Sequence, residues 1–292
     1  MSSQATAANH TIAQYWSLIK SRQTFLLTLT GAAGYLCQRP DQADWQHISS
    51  LVISLLLTIS GCTVLNMLFD RDIDSRMERT SQRPLATGQV NTLTAALLGA
   101  GLICVGLFWA VMLSLLYFFI ILAGVGLNVL VYTLWLKRRS AWSILWGGIA
   151  GGMPILAGHT LAIGRVDALG LLLTFFIVLW IPSHNLTLGI LYSEDYINAG
   201  VPTFLNVYGL DATRRMVTIS SLLTSILMAA TFAWLRPPAM ALWILVAASL
   251  GLLGMSFIAL LHADRPAIAR LYKYSSFYML GSMLLLALAR LK

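Results

Sequence analysis

The chain has 292 residues, of which 58% are hydrophobic and only 10% are charged. Soluble domains carry about 25% charged residues, so this composition excludes an ordinary soluble fold and indicates a protein surrounded by lipid. The net charge of +8 comes from basic residues in short stretches between apolar runs, which disfavours nucleic acid as a partner and favours membrane lipid or a phosphate-bearing substrate.

Nine apolar stretches are predicted to form membrane-spanning helices, because a helix needs about 20 residues to cross the hydrocarbon core. They lie near residues 22–38, 48–69, 92–113, 115–136, 141–163, 167–190, 213–234, 240–261 and 270–291. We therefore predict an all-α integral membrane protein, a bundle of about nine transmembrane helices around a central cavity. A flexible N-terminal tail (1–14) precedes a single transmembrane domain (15–292).

The distribution of charge predicts how the bundle is oriented. Of the 19 Lys and Arg residues, 14 fall in loops on one side of the predicted membrane and five on the other. Cytoplasmic loops are enriched in Lys and Arg, so the N-terminus and the more basic side are expected to face the cytoplasm. Most of the acidic residues lie on the same side, and the positive-inside rule does not explain them.

The first acidic stretch directly follows the second apolar run. Asn66, Asp70 and Asp74 are four residues apart, so they share one face, about 6 Å apart, if the helix continues. A divalent cation such as Mg²⁺ would relieve the repulsion, since it prefers oxygen ligands and bridges to substrate phosphates. Arg79 and Arg83 follow, and guanidinium groups match phosphate oxygens. The alternative is a solvated loop with local ion pairs, each worth about 0–1 kcal/mol.

The second acidic stretch, Glu194 and Asp195, follows the sixth apolar run on the same predicted side of the membrane. Two acidic stretches on one side are able to hold two Mg²⁺ ions around one diphosphate. The alternative is a wet loop that ends at Gly200 and Pro202.

The first acidic stretch resembles the first signature of the UbiA superfamily of intramembrane prenyltransferases. Its second half is most similar to the protoheme IX farnesyltransferase (heme O synthase) branch. The matching pattern reads Asn66-x3-Asp70-x3-Asp74-x2-Met77-x-Arg79-Thr80-x2-Arg83-Pro84-Leu85.

The second acidic stretch resembles the second signature of that branch, in which an aromatic-basic-acidic-acidic-Tyr run precedes Ala-Gly-x-Pro. The resemblance implies that Glu194 and Asp195 hold metal and that Tyr196 lies beside them, and Tyr192 is assigned to the diphosphate. Ser193 stands where the family usually has a lysine, and Asn185-Leu186 stand where Phe-Trp usually follows the histidine. That histidine, His184, could contact the acceptor by ligating heme iron, act as a base, or bond a carbonyl freed by Pro182.

Three further segments carry candidate residues. Lys20-Ser-Arg22 resembles the family's Lys-Pro-Arg opening of the first helix, which assigns Lys20 and Arg22 to the diphosphate. Asn128 and Tyr132 are one turn apart on the fourth helix, where the superfamily often has a pair facing its cavity, although hydrogen bonding in the core explains them equally well. The run 137–139 is interpreted as a positive-inside anchor.

The resemblance implies Mg²⁺-dependent transfer of an isoprenyl group, with farnesyl favoured, from its diphosphate to protoheme IX at the cytoplasmic face of the cell membrane. The predicted catalytic residues are Asp70, Asp74, Asp195 and His184; the metal ligands are Asn66, Asp70, Asp74, Glu194 and Asp195; the diphosphate ligands are Arg79, Arg83, Lys20, Arg22, Tyr192, Asn128 and Tyr132. One alternative is an aromatic or lipid acceptor, as in quinone, chlorophyll or archaeal-lipid synthesis. An ion-coupled transporter is the alternative from another class, but its acids are expected near the bilayer midplane.

Overall fold

The computed structural model describes residues 14–38, 44–262 and 264–288. Most of the predicted N-terminal tail, residues 1–13, lies outside the described residues, as do Arg39, Arg290 and Lys292 of the less basic side. Within the described ranges the chain is helical and contains no strand.

Nine long helices and two short ones are the main elements of the described residues, which also include a helical stretch at 14–18. The helices are α1 (Ser21–Leu36), α2 (Trp45–Phe69), the single turn α3 (Arg71–Asp74), α4 (Thr92–Leu113), α5 (Leu115–Val125, continuing as a π-helix over Gly126–Leu136), α6 (Ser143–Ile163), α7 (Ala168–Leu191), the short α8 (Ser193–Asn198), α9 (Phe204–Leu235), α10 (Ala239–Leu261) and α11 (Arg265–Leu288). Each predicted apolar stretch therefore coincides with a long helix.

Seven of these helices are long and apolar enough to cross a membrane. The other two are α1, which has only 16 residues, and α11, which carries three basic residues near its start. The prediction of an all-α membrane bundle is confirmed, whereas the number of crossings and the side that the N-terminus faces stay predictions.

Side-chain caps fix where several helices begin. Asp44, Asn91, Asp167 and Thr203 each accept a hydrogen bond from a backbone N–H in the first turn of the helix that follows. Such caps satisfy amide groups that have no partner within the helix. The outward-facing surfaces of the helices carry exposed Phe108, Phe119, Trp243 and other large apolar side chains, as expected for helices that contact lipid.

Small residues allow α1 and α6 to pack with their backbones in contact. A Cβ atom added to Gly158 would lie 1.9 Å from the carbonyl oxygen of Gly31, and one added to Gly34 would lie 2.3 Å from that of Ile155. Close approach through glycine is typical of membrane helices, which gain stability from van der Waals contact rather than from hydrophobic burial. This contact fixes the second half of α1 against α6.

Two irregular segments shape the end of the bundle that carries the acidic residues. The first acidic stretch does not continue α2 as one helix, since α2 ends at Phe69, one further turn forms α3, and residues 75–90 form successive turns. Arg79 and Arg83 therefore lie on turns rather than on a helix face.

At the end of α5 the chain widens into a π-helix, in which the Lys137 amide donates to the Tyr132 carbonyl five residues earlier. Such widening is rare and frequently occurs at functional sites.

Candidate active site

A cavity of about 280 Å³ lies at the end of the bundle where α2, the π-helix and α7 end. Carboxylate, amide and basic side chains converge on it from the start of α1, the end of α2, the turns after α3 and the π-helix. The polar groups in its lining include Lys20, Asn66, Asp70, Asp74, Arg79, Arg83, Asn128, Tyr132, Lys137 and Tyr196. Eight of the 13 residues predicted from the sequence thus share one cavity.

The other five predicted residues lie outside the cavity lining: Arg22, His184, Tyr192, Glu194 and Asp195. Arg22 and Glu194 are exposed to solvent. The remaining three lie on or just after α7, next to residues that do line the cavity, such as Asn185 and Tyr196.

Asp70 and Asp74 are buried, with 2% and 4% of their surface exposed, and each is paired with a cation. The Lys137 ammonium lies 2.5 Å from Oδ2 of Asp70. The Arg83 guanidinium donates to both carboxylate oxygens of Asp74, at 2.8 and 2.7 Å. Because charge in a low-dielectric environment must be compensated, these pairs allow two carboxylates to lie buried side by side.

One oxygen of Asp70 has no hydrogen-bond partner. Oδ1 is buried and accepts no hydrogen bond from any described residue, a state that costs about 1–3 kcal/mol for an ordinary polar group. With Asp74 and Asn66 beside it, this oxygen belongs to an all-oxygen donor set that suits Mg²⁺. The described residues contain no cluster of three or more His, Cys, Asp and Glu side chains able to hold a metal. Mg²⁺ fits such a sparse set, since it keeps water and takes further oxygens from substrate phosphates.

A chain of hydrogen bonds connects the start of α1 to the π-helix. Lys20 donates to Oδ1 of Asn66 at 2.7 Å, Asn66 donates to the Thr133 hydroxyl at 3.0 Å, and Thr133 donates to the carbonyl of Asn128 at 2.7 Å. Burial, together with the positive charges of Arg83 and Lys137, lowers the pKa of Lys20 to about 7. An anion in the cavity would favour the charged form of Lys20.

Lys137 is a cavity residue that the sequence interpretation missed. Read as part of a positive-inside anchor, it instead pairs with Asp70, while its neighbour Arg138 pairs with the more exposed Asp72 and holds the pKa of that carboxyl at about 2. Tyr132 and Lys137 are five residues apart, which places them on different faces of an α-helix but on the same face of a π-helix. The missing signal was therefore the helix type, which apolar periodicity did not reveal.

Asp195 connects the second acidic stretch to the first. Its carboxylate accepts hydrogen bonds from the backbone N–H groups of Glu78 at 2.9 Å and Arg79 at 3.3 Å. A small apolar cluster of Ile73, Met77, Ala199 and Val201, with Tyr196 against it, packs the same two segments together. The side chain of Arg79 returns to the end of α7, where its guanidinium carbon lies 5.0 Å from the centre of the Tyr192 ring.

His184 lies between two aromatic rings. Its imidazole stacks on Trp180 with ring centres 4.7 Å apart and on Tyr272 at 4.5 Å. Its Nδ1 lies 3.0 Å from the Ser275 hydroxyl, so the polar contact is with a side chain of α11 and not with a carbonyl near Pro182. The two stacked neighbours and the hydroxyl fix the orientation of the ring.

Comparison with known proteins places these features in a family. The model of the UbiA prenyltransferase family matches residues 26–281. A protoheme IX farnesyltransferase of Korarchaeum cryptofilum is 38% identical over 210 residues, which cover 72% of this chain and 71% of that protein. A protoheme IX farnesyltransferase of Archaeoglobus fulgidus is 33% identical over 257 residues, 88% of this chain and 90% of that protein.

A solved structure supports the same fold. The structure of a UbiA homolog from Archaeoglobus fulgidus bound to GPP and Mg²⁺ matches 94% of this chain and 99% of that chain, with a TM-score of 0.71. Its sequence identity to this chain is 17%, so this likeness concerns the fold alone.

Proposed function

The chain belongs to the UbiA prenyltransferase family, and from this premise we propose that it transfers a farnesyl group from farnesyl diphosphate to protoheme IX. It is an integral membrane prenyltransferase. The farnesyl donor and the heme acceptor are supported by the names of its relatives, which are 33–38% identical to it. In this proposal the cavity faces the cytoplasm, as the excess of Lys and Arg at that end favours.

The observation that carries the proposal is the unpartnered Oδ1 of Asp70, a residue that lines one cavity together with Asp74 and four basic side chains. An acid-only cavity would bind a metal but repel a diphosphate, and a cation-only cavity would bind the diphosphate without a metal. Carboxylates and cations together fit a metal diphosphate, in which both charges are present.

We assign Mg²⁺ to Asp70, Asp74 and Asn66, in keeping with the Mg²⁺ and GPP bound by the Archaeoglobus fulgidus homolog. When bound, the ion offsets the negative charge that collects on the departing diphosphate. A second ion would fall to Glu194 and Asp195. Because a carboxylate has lone pairs left after accepting two N–H groups, Asp195 is able to ligate a metal ion while it accepts those hydrogen bonds.

The remaining polar residues act on the diphosphate itself. Arg79, Arg83 and Lys20 line the cavity and would hold the phosphate oxygens while the bond from oxygen to the first prenyl carbon breaks. The diphosphate leaves with the electron pair, the π electrons of a vinyl group of the acceptor form the new bond to the allylic carbon, and the cation left on the acceptor adds water and releases a proton. Tyr132 and Tyr196 in the wall would stabilise the positive charge on the prenyl group through their ring faces.

An aromatic or lipid acceptor is the second candidate. The observation that favours it is that Asn185 and Leu186, which replace two large aromatic residues of the family pattern, both line the cavity. Smaller side chains at this wall change the space available to the acceptor. Analysis of the product therefore identifies the acceptor.

The test is product analysis by mass spectrometry. Purified protein in detergent is incubated with Mg²⁺, farnesyl diphosphate and either protoheme IX or 4-hydroxybenzoate. The proposal predicts a farnesylated heme and no farnesylated benzoate. A farnesylated benzoate without a heme product would replace heme by the aromatic acceptor, and no product with either would leave the acceptor assignment without support.

A further inference from the structure

Contacts within the protein hold the two acidic segments together. Between them lie the two hydrogen bonds from the amides of Glu78 and Arg79 to Asp195 and the apolar cluster around Met77 and Val201. If metal were the only bridge between two acidic segments, their carboxylates would repel each other when it is absent. Asp195 avoids this because it meets the partial positive charge of backbone N–H groups instead of another carboxylate.

Arg79 is held at both ends by the same short stretch of chain. Its backbone N–H donates to Asp195, and its guanidinium lies over the ring of Tyr192, three residues earlier. Arg79 also lines the cavity, so the residue that positions its backbone influences where its charge points. The neighbouring acid, Glu194, is exposed and outside the cavity lining, which separates the roles of two adjacent carboxylates.

We propose that Asp195 is a positioning residue that clasps the turn at Glu78 and Arg79 to the end of α7, and thereby sets the Arg79 guanidinium in the cavity before metal or substrate binds. This role is in addition to any share that Asp195 has in metal binding. The consequence for the diphosphate rests on the proposed function, whereas the clasp itself does not.

Hydrogen–deuterium exchange in metal-free protein tests the clasp directly. With EDTA and no substrate, Asp195→Ala is expected to speed exchange of the Glu78 and Arg79 amides about tenfold, the change expected when charge-assisted hydrogen bonds are lost. Glu194→Gln, which removes a charge one residue away, is expected to leave both amides at the wild-type rate. Unchanged protection of α2 in all variants serves as the check on folding.

Asp195→Asn keeps one acceptor oxygen and is the conservative variant. It is expected to retain part of the protection lost in Asp195→Ala, and it also decides the question if the alanine variant does not fold. Wild-type exchange at both amides in Asp195→Ala, or in Asp195→Asn when only that variant folds, overturns the clasp. So does equal loss of protection in Glu194→Gln.

Kinetics then connect the clasp to Arg79. Asp195→Asn is expected to raise the KM for farnesyl diphosphate more than it lowers kcat, whether or not the Mg²⁺ concentration for half-maximal activity also moves. A shift in that Mg²⁺ concentration with unchanged exchange in the metal-free protein would make Asp195 a metal ligand only and overturn the proposal. If no transfer is detected in any variant, the proposed function fails while the exchange result still decides the clasp.

Discussion

The ammonium group of Lys137 lies 2.5 Å from Oδ2 of Asp70, although 67 residues separate them in the sequence. Both side chains are largely buried, with 17% and 3% of their surfaces exposed. The pair forms because the π-helix at Gly126–Leu136 turns the residue after it toward the end of α2. Lys137 therefore neutralises one oxygen of Asp70, while the other has no hydrogen-bond partner among the described residues.

Replacing Lys137 is expected to make stability depend on Mg²⁺. Lys137→Met leaves the buried Asp70 charge uncompensated, which typically costs about 3 kcal/mol. Thermal unfolding in detergent with EDTA should show a lower Tm for this variant, and Mg²⁺ should restore most of the difference. Lys273→Met, at an exposed position on α11, is the control and should behave as wild type. An equal loss of Tm with and without Mg²⁺ would contradict the assignment of Asp70 as a metal ligand.

Arg83 should not be replaceable by lysine. Its Nη1 donates to both carboxylate oxygens of Asp74, which leaves the other guanidinium N–H groups, absent from lysine, to meet phosphate oxygens. Arg83→Lys is expected to raise the KM for farnesyl diphosphate about tenfold, the loss of one charge-assisted contact. Arg138→Lys alters the exposed pair with Asp72 and should leave this KM unchanged. Similar kinetics for the two variants would argue against a role for Arg83 in the cavity.

The aromatic stack around His184 predicts that replacing this residue alters the KM for the acceptor but not the KM for farnesyl diphosphate. His184→Phe preserves the contact with Trp180 and Tyr272 but removes the nitrogen that meets Ser275. We expect slower transfer with a raised KM for protoheme IX and an unchanged KM for farnesyl diphosphate. Steady-state kinetics with each substrate varied in turn measure both constants. A raised KM for farnesyl diphosphate with an unchanged KM for protoheme IX would contradict a role for His184 at the acceptor.

The contact between α1 and α6 should be intolerant of a methyl group. Gly158→Ala forces its Cβ against the Gly31 carbonyl, and overpacking of this kind costs about 1–3 kcal/mol. Gly254→Ala on α10 meets nothing within 4 Å and should be neutral or slightly stabilising, because alanine favours helix. The two Tm values in detergent give the comparison. A Gly158→Ala protein as stable as Gly254→Ala would show that the helices separate easily.

The fold followed from the sequence because long apolar stretches in lipid have few alternatives to helix. The spacing of Asn66, Asp70 and Asp74 also indicated a shared site, and all three line the cavity. The helical hydrogen bonds that continue into α3, such as that from the Asp74 amide to the Asp70 carbonyl, explain why the spacing was informative even though α2 itself ends at Phe69.

Contacts that depend on irregular backbone could not be predicted in this way. The partnership of Lys137 with Asp70 needs the π-helix, and the bonds from Glu78 and Arg79 to Asp195 use backbone amides on turns. Neither leaves a periodic pattern of residue types. Arg22 shows the opposite case, since it matched the family pattern beside Lys20 but lies exposed outside the cavity lining, and its role stays a prediction.

The most direct test of a metal diphosphate site at the end of α2 is prenyl transfer by two matched variants, Asp70→Asn and Asp72→Asn. Both remove one carboxylate charge, two residues apart, but only Asp70 lines the cavity. We predict Mg²⁺-dependent product from wild type and Asp72→Asn, none from either with excess EDTA, and transfer by Asp70→Asn that is slower by about 100-fold or more. Wild-type rates from Asp70→Asn, or product formed after complete chelation, would contradict the site.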